Sequence, residues 1–228
     1  MKKIVSVFLI FLICSCSLLI KQKELTNEKI KEKIVANLSY LRNCKASGII
    51  NLSLKNFELK SNFLLRKKNK KFRIDIFNSG LLGLSPSTQA QILFDDSLHI
   101  FLPVKKILYV FRQNNKVNLN LDIQKIVRES KNIEKMDTQF IFSLSDVELV
   151  FDKKFNLILL QYEKVKIILN NYRNNLPYSL NIFQDEKELA NFTIDKWSFD
   201  EPNDEIFRLN MPSDVKIIEN PNGNDLNK

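Results

Sequence analysis

The hydrophobic residues of this chain change their spacing once, shortly after residue 41. Before that point they follow a helical stripe with spacings of four, four and three residues: Ile30, Ile34, Leu38 and Leu41. This spacing predicts an amphipathic helix that begins near Thr26 or Asn27. From Lys45 onward apolar and polar residues alternate, which is the pattern of half-buried strands.

The first three strand-like runs follow one another directly, and each has a single apolar face. Their apolar positions are Ile50, Leu52 and Leu54, then Leu59, Phe63 and Leu65, then Phe72, Ile74 and Ile76. Consecutive runs of this kind predict antiparallel strands with one side toward a core.

Further strands are predicted along the rest of the chain. They lie near 89–94, 98–102, 106–111, 140–144, 147–151, 156–161, 164–169, 178–183 and 189–199. A last short strand is predicted around Phe207, Leu209 and Met211, and a second helix over 120–130 with Asn120 or Asp122 as its cap. The polar segment 220–228 is predicted to be a disordered tail.

These elements predict an α+β domain over residues 26–219, in which one large antiparallel sheet curls around two helices. A curved sheet has a concave face, and the strand periodicity places large apolar side chains there. They are Phe63, Leu65, Phe72, Ile74, Ile76, Ile92, Phe94, Ile100, Tyr109, Phe142, Leu157, Leu159, Ile167 and Phe192. Two interpretations remain open: these residues form a packed core under the helices, or part of them lines an apolar pocket for a ligand.

The composition excludes several kinds of enzyme. The chain has 228 residues, 44% of them hydrophobic, but only four glycines, so no glycine-rich phosphate loop is present. One histidine and three cysteines do not form a metal-ligand spacing. His99 is predicted to be a surface strand residue, and Asp95 with Asp96 a turn. We therefore expect neither catalysis nor a metal or other cofactor.

The first residues have the pattern of an export signal. Lys2 and Lys3 precede an apolar run over 4–13, and small residues follow. The sequence Ile13-Cys14-Ser15-Cys16 resembles the lipobox of bacterial lipoproteins. That resemblance implies a signal peptide over 1–15, cleavage before Cys16, lipid on the Cys16 thiol, and a lipidated tether over 16–25. The alternative is an ordinary signal peptide that is cut nearby.

The charge of the exported part is positive. Without residues 1–15 the formal net charge falls from +9 to +7. For an exported protein, a positive net charge favours anionic lipid surfaces or acidic envelope polymers over nucleic acid as partners. The one dense basic cluster, at 66–71, lies between two predicted strands. It is either a solvated hairpin tip or a membrane-binding patch. Cys44 has no internal cysteine partner after cleavage and is predicted to be a small buried residue.

The order of elements resembles one known family. A helix is followed by Ala46-Ser47-Gly48-Ile49-Ile50, the third strand leads into Asn78-Ser79-Gly80-Leu81-Leu82-Gly83-Leu84, and Phe207-Arg208-Leu209-Asn210-Met211-Pro212 stands near the end. This arrangement resembles the LolA/LolB superfamily of lipoprotein carriers and outer-membrane receptors. The resemblance implies a half-open, incomplete β-barrel with helices as a lid over a cavity for acyl chains. It also implies a protruding membrane-contact loop at Leu81, Leu82 and Leu84; alternatively this loop folds back and plugs the barrel mouth.

The resulting hypothesis is a monomeric, lipid-anchored, non-enzymatic envelope protein on the periplasmic face of the outer membrane. It binds acyl chains of lipoproteins or other envelope lipids and helps to deliver them to a membrane, and a soluble periplasmic carrier is the expected donor. The alternative is a structural or assembly lipoprotein with a packed interior, whose surface binds another envelope protein.

Overall fold

The computed structural model describes residues 25–54, 57–78, 87–112 and 122–220. The predicted signal peptide, the predicted lipidation site Cys16, the leucine loop and nearly all of the predicted tail therefore lie outside the described residues. No helix in the described ranges is long and apolar enough to cross a membrane.

Both predicted helices are present, and each begins at a capping side chain. Helix α1 is Asn27–Ser39, and the Thr26 Oγ1 accepts a hydrogen bond from the Lys29 amide at 3.4 Å. Helix α2 is Ile123–Glu129, and the Asp122 Oδ1 accepts from the Lys125 amide at 3.0 Å. These contacts satisfy amide groups that the first turn of a helix leaves without partners.

Fourteen strands are present in the described residues. They are β1 (Asn43–Leu54), β2 (Phe57–Lys68), β3 (Lys71–Phe77), β4 (Thr88–Phe94), β5 (Ser97–Leu102), β6 (Ile107–Arg112), β7 (Ile133–Lys135), β8 (Gln139–Leu144), β9 (Val147–Asp152), β10 (Leu157–Tyr162), β11 (Val165–Asn170), β12 (Ser179–Gln184), β13 (Lys187–Ser198) and β14 (Lys216–Glu219). They form one sheet in the order β14-β6-β5-β4-β3-β2-β1-β13-β12-β11-β10-β9-β8-β7. All neighbours are antiparallel except β14, which runs parallel to β6. Between the described strands the sheet stays open at β14 and β7, so the predicted α+β half-open barrel is confirmed.

The prediction of a last strand around Phe207, Leu209 and Met211 was wrong. Residues Asp204–Phe207 form a 3-10 helix, in which the Asn203 side chain accepts a hydrogen bond from the Glu205 amide at 3.2 Å. Phe207 is buried and Leu209 packs against the outer cluster of the sheet without pairing with a strand, whereas Met211 is 42% exposed. The last strand is β14, and the short β7 was not predicted.

The two faces of the sheet differ in what covers them. We call the side on which both helices pack the inner face and the opposite side the outer face. On the inner face the helices and β8–β11 share one apolar core, whose buried members are Ile30, Ile34, Ile126, Val127, Phe142, Leu149, Phe151, Leu157, Leu160 and Leu169. We call this the helix-covered core.

Polar contacts fix helix α1 above this core. The Asn37 Nδ2 donates to the backbone carbonyls of Lys154 and Phe155 at 3.0 and 3.2 Å. The Lys31 Nζ donates to the Arg128 carbonyl at 3.2 Å, which links α1 to the last turn of α2. Because these contacts hold the lid on β8–β11, the helices cover one half of the sheet.

The two halves of the sheet join where β1 pairs with β13. The register shifts between Ser47 and Gly48, so that Gly48 lies opposite Ile194. A Cβ atom at Gly48 would stand 2.0 Å from the Thr193 carbonyl oxygen. Only glycine allows the two backbones to approach this closely.

The segment after β13 crosses the outer face. Its residues Leu209 and Val215 pack against a buried outer cluster of Phe101, Leu108 and Val110. From the sheet, Arg73 donates through Nη1 to the carbonyls of Ile206 and Arg208 at 2.8 and 3.0 Å. The chain then adds β14 to the edge of the sheet beside β6.

Candidate functional site

A second apolar cluster occupies the other half of the inner face. Its buried members are Ala46, Ile50, Phe63, Ile76 and Ile194, and its partly buried members are Leu52, Leu65, Ile74, Ala90, Ile92, Phe192 and Trp197. All of them belong to β1–β4 and β13, and no helix residue from the described ranges joins them. We call this cluster the uncovered inner face.

The strand register brings these side chains into rows. Leu65 lies opposite Ile74, and Ile74 lies opposite Ile92. Paired residues of antiparallel strands project to the same face, so each row is a continuous apolar surface. The next pairs extend this row from Ile92 to Ile100 and Tyr109.

Aromatic contacts lie both between and within these rows. Phe63 on β2 meets Phe192 on β13 edge to face, with ring centroids 5.2 Å apart. Phe72 and Phe94 stack with centroids 5.4 Å apart. Such geometries add a modest stabilisation beyond the burial of the rings.

The structure places the predicted inward residues in two groups. Phe142, Leu157 and Ile167 belong to or pack against the helix-covered core, where little surface is left for a ligand. The others lie on the uncovered inner face or on its extension through β3–β6: Phe63, Leu65, Phe72, Ile74, Ile76, Ile92, Phe94, Ile100, Tyr109 and Phe192.

Leu159 is the exception, and its predicted inward position was wrong. The register of β10 shifts between Leu157 and Leu159, so that Leu160 lies opposite the core residue Leu149, and Leu159 lies opposite Val150. The run 157–160 is wholly apolar, so its sequence contains no polar position that would reveal the bulge.

Sequence reasoning missed two inward residues of β13, Ile194 and Trp197. They are an odd number of positions apart, which strict alternation does not allow. The shift in register opposite Gly48 brings both to the inner face, with Ile194 paired to Gly48 and Trp197 paired to Ala46. The glycine in β1 was the one available signal of a bulge.

A partly buried lysine lies at one end of this face. Burial lowers the pKa of Lys67, whose Nζ donates to the carbonyls of Asn69 and Arg42 at 2.5 and 3.4 Å. The neighbouring Cys44 thiol is buried, which raises its pKa to about 11. The predicted burial of Cys44 is confirmed.

The basic cluster at 66–71 spans the end of β2, the turn and the start of β3, and two of its five cationic side chains pair with carboxylates. The Lys68 Nζ lies 2.9 Å from a Glu201 carboxylate oxygen and 3.2 Å from one of Asp204. Arg66 pairs with Asp75 at 2.5 Å. These pairs reduce the charge that the turn presents to an anionic surface.

The described residues offer little catalytic chemistry at this site. His99 lies opposite Leu93 and Val110, on the outer parity of β5, and the Asp95 Oδ1 accepts hydrogen bonds from the amides of Asp96 and Ser97 in a turn. In the described ranges no group of three His, Cys, Asp or Glu side chains is placed to hold a metal ion. What the site presents is apolar surface, which binds by exclusion of water.

Comparison with solved structures identifies the fold. The chain is similar to a LolA superfamily protein from Nitrosomonas europaea, with a TM-score of 0.52, 14% identity and coverage of 81% of this chain and 98% of that one. It is also similar to an outer membrane lipoprotein-sorting protein domain from Vibrio parahaemolyticus, with a TM-score of 0.54, 12% identity and coverage of 80% and 97%. No family model and no curated protein sequence matches the chain. The chain therefore has the fold of LolA-like proteins, as the resemblance of its elements predicted.

Proposed function

We propose that this protein binds acyl chains of lipoproteins or other envelope lipids on the uncovered inner face and helps to deliver them to a membrane. The observation that carries the proposal is a set of large, partly exposed apolar side chains on a concave sheet, with no helix over them in the described ranges. Five of the twelve side chains are at most 7% exposed, and the other seven leave part of this apolar surface accessible to a ligand. The fold shared with a LolA superfamily protein and a lipoprotein-sorting domain supports the same function.

The binding energy in this proposal comes from removal of acyl surface from water. Each methylene that leaves water contributes about 0.8 kcal/mol, so four methylenes against the rows of Leu65, Ile74 and Ile92 contribute about 3 kcal/mol. Because such a surface makes no directional polar contacts, it accepts acyl chains from lipids with different headgroups. Transfer without a nucleotide then requires that carrier, protein and membrane differ in affinity for the same chain.

The membrane side of the proposal concerns residues outside the described ranges. We propose that lipid on Cys16 anchors the protein to the periplasmic face of the outer membrane, and that Leu81, Leu82 and Leu84 contact the bilayer. A soluble periplasmic carrier is the proposed donor of cargo. The protein acts as a monomer and catalyses no reaction.

The test of cargo binding uses two matched leucines. Leu65 is partly buried on the uncovered inner face, and Leu159 is partly buried on the outer parity of β10. The full chain and its Leu65→Glu and Leu159→Glu variants are purified, and retained lipid is measured by native mass spectrometry and binding of an apolar dye by titration. We expect Leu65→Glu to lose retained lipid and to bind the dye at least about tenfold more weakly, because a buried carboxylate disfavours an acyl chain, whereas Leu159→Glu binds like the wild type.

Two results would contradict the proposal. One is a folded wild-type protein that neither retains lipid nor binds the dye; the other is an equal effect of both variants. Either result would favour a structural or assembly lipoprotein whose surface binds another envelope protein.

Anchoring and delivery have separate tests. Incorporation of a radiolabelled fatty acid in cells should occur in the wild type and be absent from Cys16→Ser. Replacement of Leu81, Leu82 and Leu84 by Glu should abolish transfer of lipid to vesicles and leave dye binding unchanged. Loss of dye binding in this triple variant would show that the loop is part of the cavity and not a membrane contact.

A further inference from the structure

A cavity of about 600 Å³ lies on the outer face, behind the uncovered inner face. One wall consists of outward residues of β2, β3 and β4, and the other is the segment 205–210. Its position on the other side of the sheet separates it from the proposed acyl site, so the inference below does not rest on the proposed function.

The wall of this cavity carries an ion cluster around one buried carboxylate. Asp75 is 9% exposed, and its carboxylate accepts hydrogen bonds from two arginines. The Arg73 Nε and Nη2 donate to it at 2.8 to 3.1 Å, and the Arg66 Nη1 donates to its Oδ2 at 2.5 Å. With Arg208 and Glu205 also on the wall, the cavity has one more positive than negative charge.

The two arginines differ in how many donors remain open. Arg73 uses its Nη1 for the carbonyls of Ile206 and Arg208, so all three of its guanidinium nitrogens donate and one Nη2 hydrogen remains open. Arg66 spends one donor on Asp75, and no described residue accepts from its Nε or Nη2. Its side chain is 25% exposed at the cavity. A guanidinium with two open donors on adjacent nitrogens binds an oxyanion in bidentate geometry.

Other polar side chains on the wall also lack a hydrogen-bond partner among the described residues. Thr88, Gln91 and Asn210 line the cavity, and no described residue forms a hydrogen bond with their side chains. A hydroxyl and two amides beside Arg66 offer several donors to one ligand. A phosphate ester has more acceptor oxygens than a carboxylate and can therefore use more of these donors at once.

We propose that this outer cavity binds a small phosphate ester, with Arg66 as the bidentate donor and Thr88, Gln91 and Asn210 as further donors. A volume of about 600 Å³ accommodates a ligand the size of a glycerophosphate group. Such a group occurs both in free phosphate esters and in phospholipid headgroups.

The test titrates the purified full chain with glycerol 3-phosphate in a calorimeter. We expect saturable binding in the wild type, and binding about tenfold weaker or worse in Arg66→Gln, because charged hydrogen bonds of this kind carry at least that factor. Arg112→Gln is the matched control: it removes the same charge from β6, where Arg112 pairs with Glu219 outside the cavity, and should bind like the wild type. Asn210→Ala removes a proposed donor without touching the ion cluster, and should weaken binding even if Arg66→Gln proves unstable.

A competition experiment identifies the source of the phosphate. Dihexanoyl phosphatidylglycerol is added to the glycerol 3-phosphate complexes of the wild type and of Leu65→Glu. Displacement in both proteins assigns the cavity to a phospholipid headgroup. Lack of displacement assigns it to a free phosphate ester. No saturable binding by the folded wild type overturns the proposal. Equal affinities in the wild type and in both cavity variants overturn it as well, and leave Arg66 with the structural role of neutralising Asp75.

Discussion

Substitution of Gly48 by alanine tests the close contact that joins the two halves of the sheet. The added Cβ would lie 2.0 Å from the Thr193 carbonyl oxygen, about 1.4 Å short of the 3.4 Å at which ordinary van der Waals contact begins. The next atoms, the Ile194 Cα at 2.9 Å and the Thr193 carbonyl carbon at 3.0 Å, are also backbone, so no side chain can rotate away. The strands themselves must separate.

The cost follows from this displacement. Overpacking of a well-packed interior costs about 1–3 kcal/mol, and each ladder hydrogen bond that the separation breaks adds about 1 kcal/mol. We therefore expect Gly48→Ala to lower the free energy of unfolding by about 3 kcal/mol, measured by urea unfolding followed by circular dichroism. Ser47→Ala, one position away on the other face, is the control and should stay within about 0.5 kcal/mol of the wild type. A Gly48→Ala protein as stable as the control would refute the close approach of β1 and β13.

Three further predictions concern the lid, the outer face and the buried thiol. Ile34→Ala should reduce the free energy of unfolding by about 2–5 kcal/mol, since the Ile34 side chain is fully buried beneath α1. Its control is Tyr40→Ala, at a residue 60% exposed, which should change the free energy of unfolding by less than about 0.5 kcal/mol in the same urea assay. Arg73→Gln should cost about 2 kcal/mol and speed amide hydrogen exchange in the segment after β13, because it removes two hydrogen bonds to that segment. Exchange unchanged from that of the wild type would contradict this anchor. Cys44, with its pKa raised to about 11, should react with iodoacetamide at pH 8 about a hundredfold more slowly than a free thiol, as measured by peptide mass spectrometry. The stability that the protein gains from the neutral thiol should be lost as the pH rises from about 9 through 11. Rapid labelling of the folded protein would exclude burial of Cys44.

The periodicity of apolar residues was sufficient to predict the helices and most strands, because one face of each element is buried and the other is exposed to solvent. The stripe of Ile30 and Ile34 predicted α1, and the alternation around Ile74 predicted β3 with its inward side chains. Local patterns failed where the chain contacts the sheet without joining it. Phe207 belongs to a 3-10 helix packed on the outer face, and the pattern of apolar residues in that segment does not distinguish this packing from strand pairing.

The candidate site depended on information that no local pattern contains. Register shifts decide that Leu160 faces inward and Leu159 does not, and that Ile194 and Trp197 share a face. The outer cavity brings Arg66 together with Asn210, which is far away in sequence and lies on the returning C-terminal segment.

The amino-acid sequence by itself determined which side chains leave water, because alternation and helical spacing depend only on neighbouring residues. It therefore determined the α+β class and most of the apolar inner surface, but not the inward side chains beside the register shifts in β10 and β13. Only the tertiary structure decided how that surface is divided. Packing of α1 and α2 on β8–β11 left the half beyond β13 without a helix in the described residues, since contacts between distant segments set where a lid can rest.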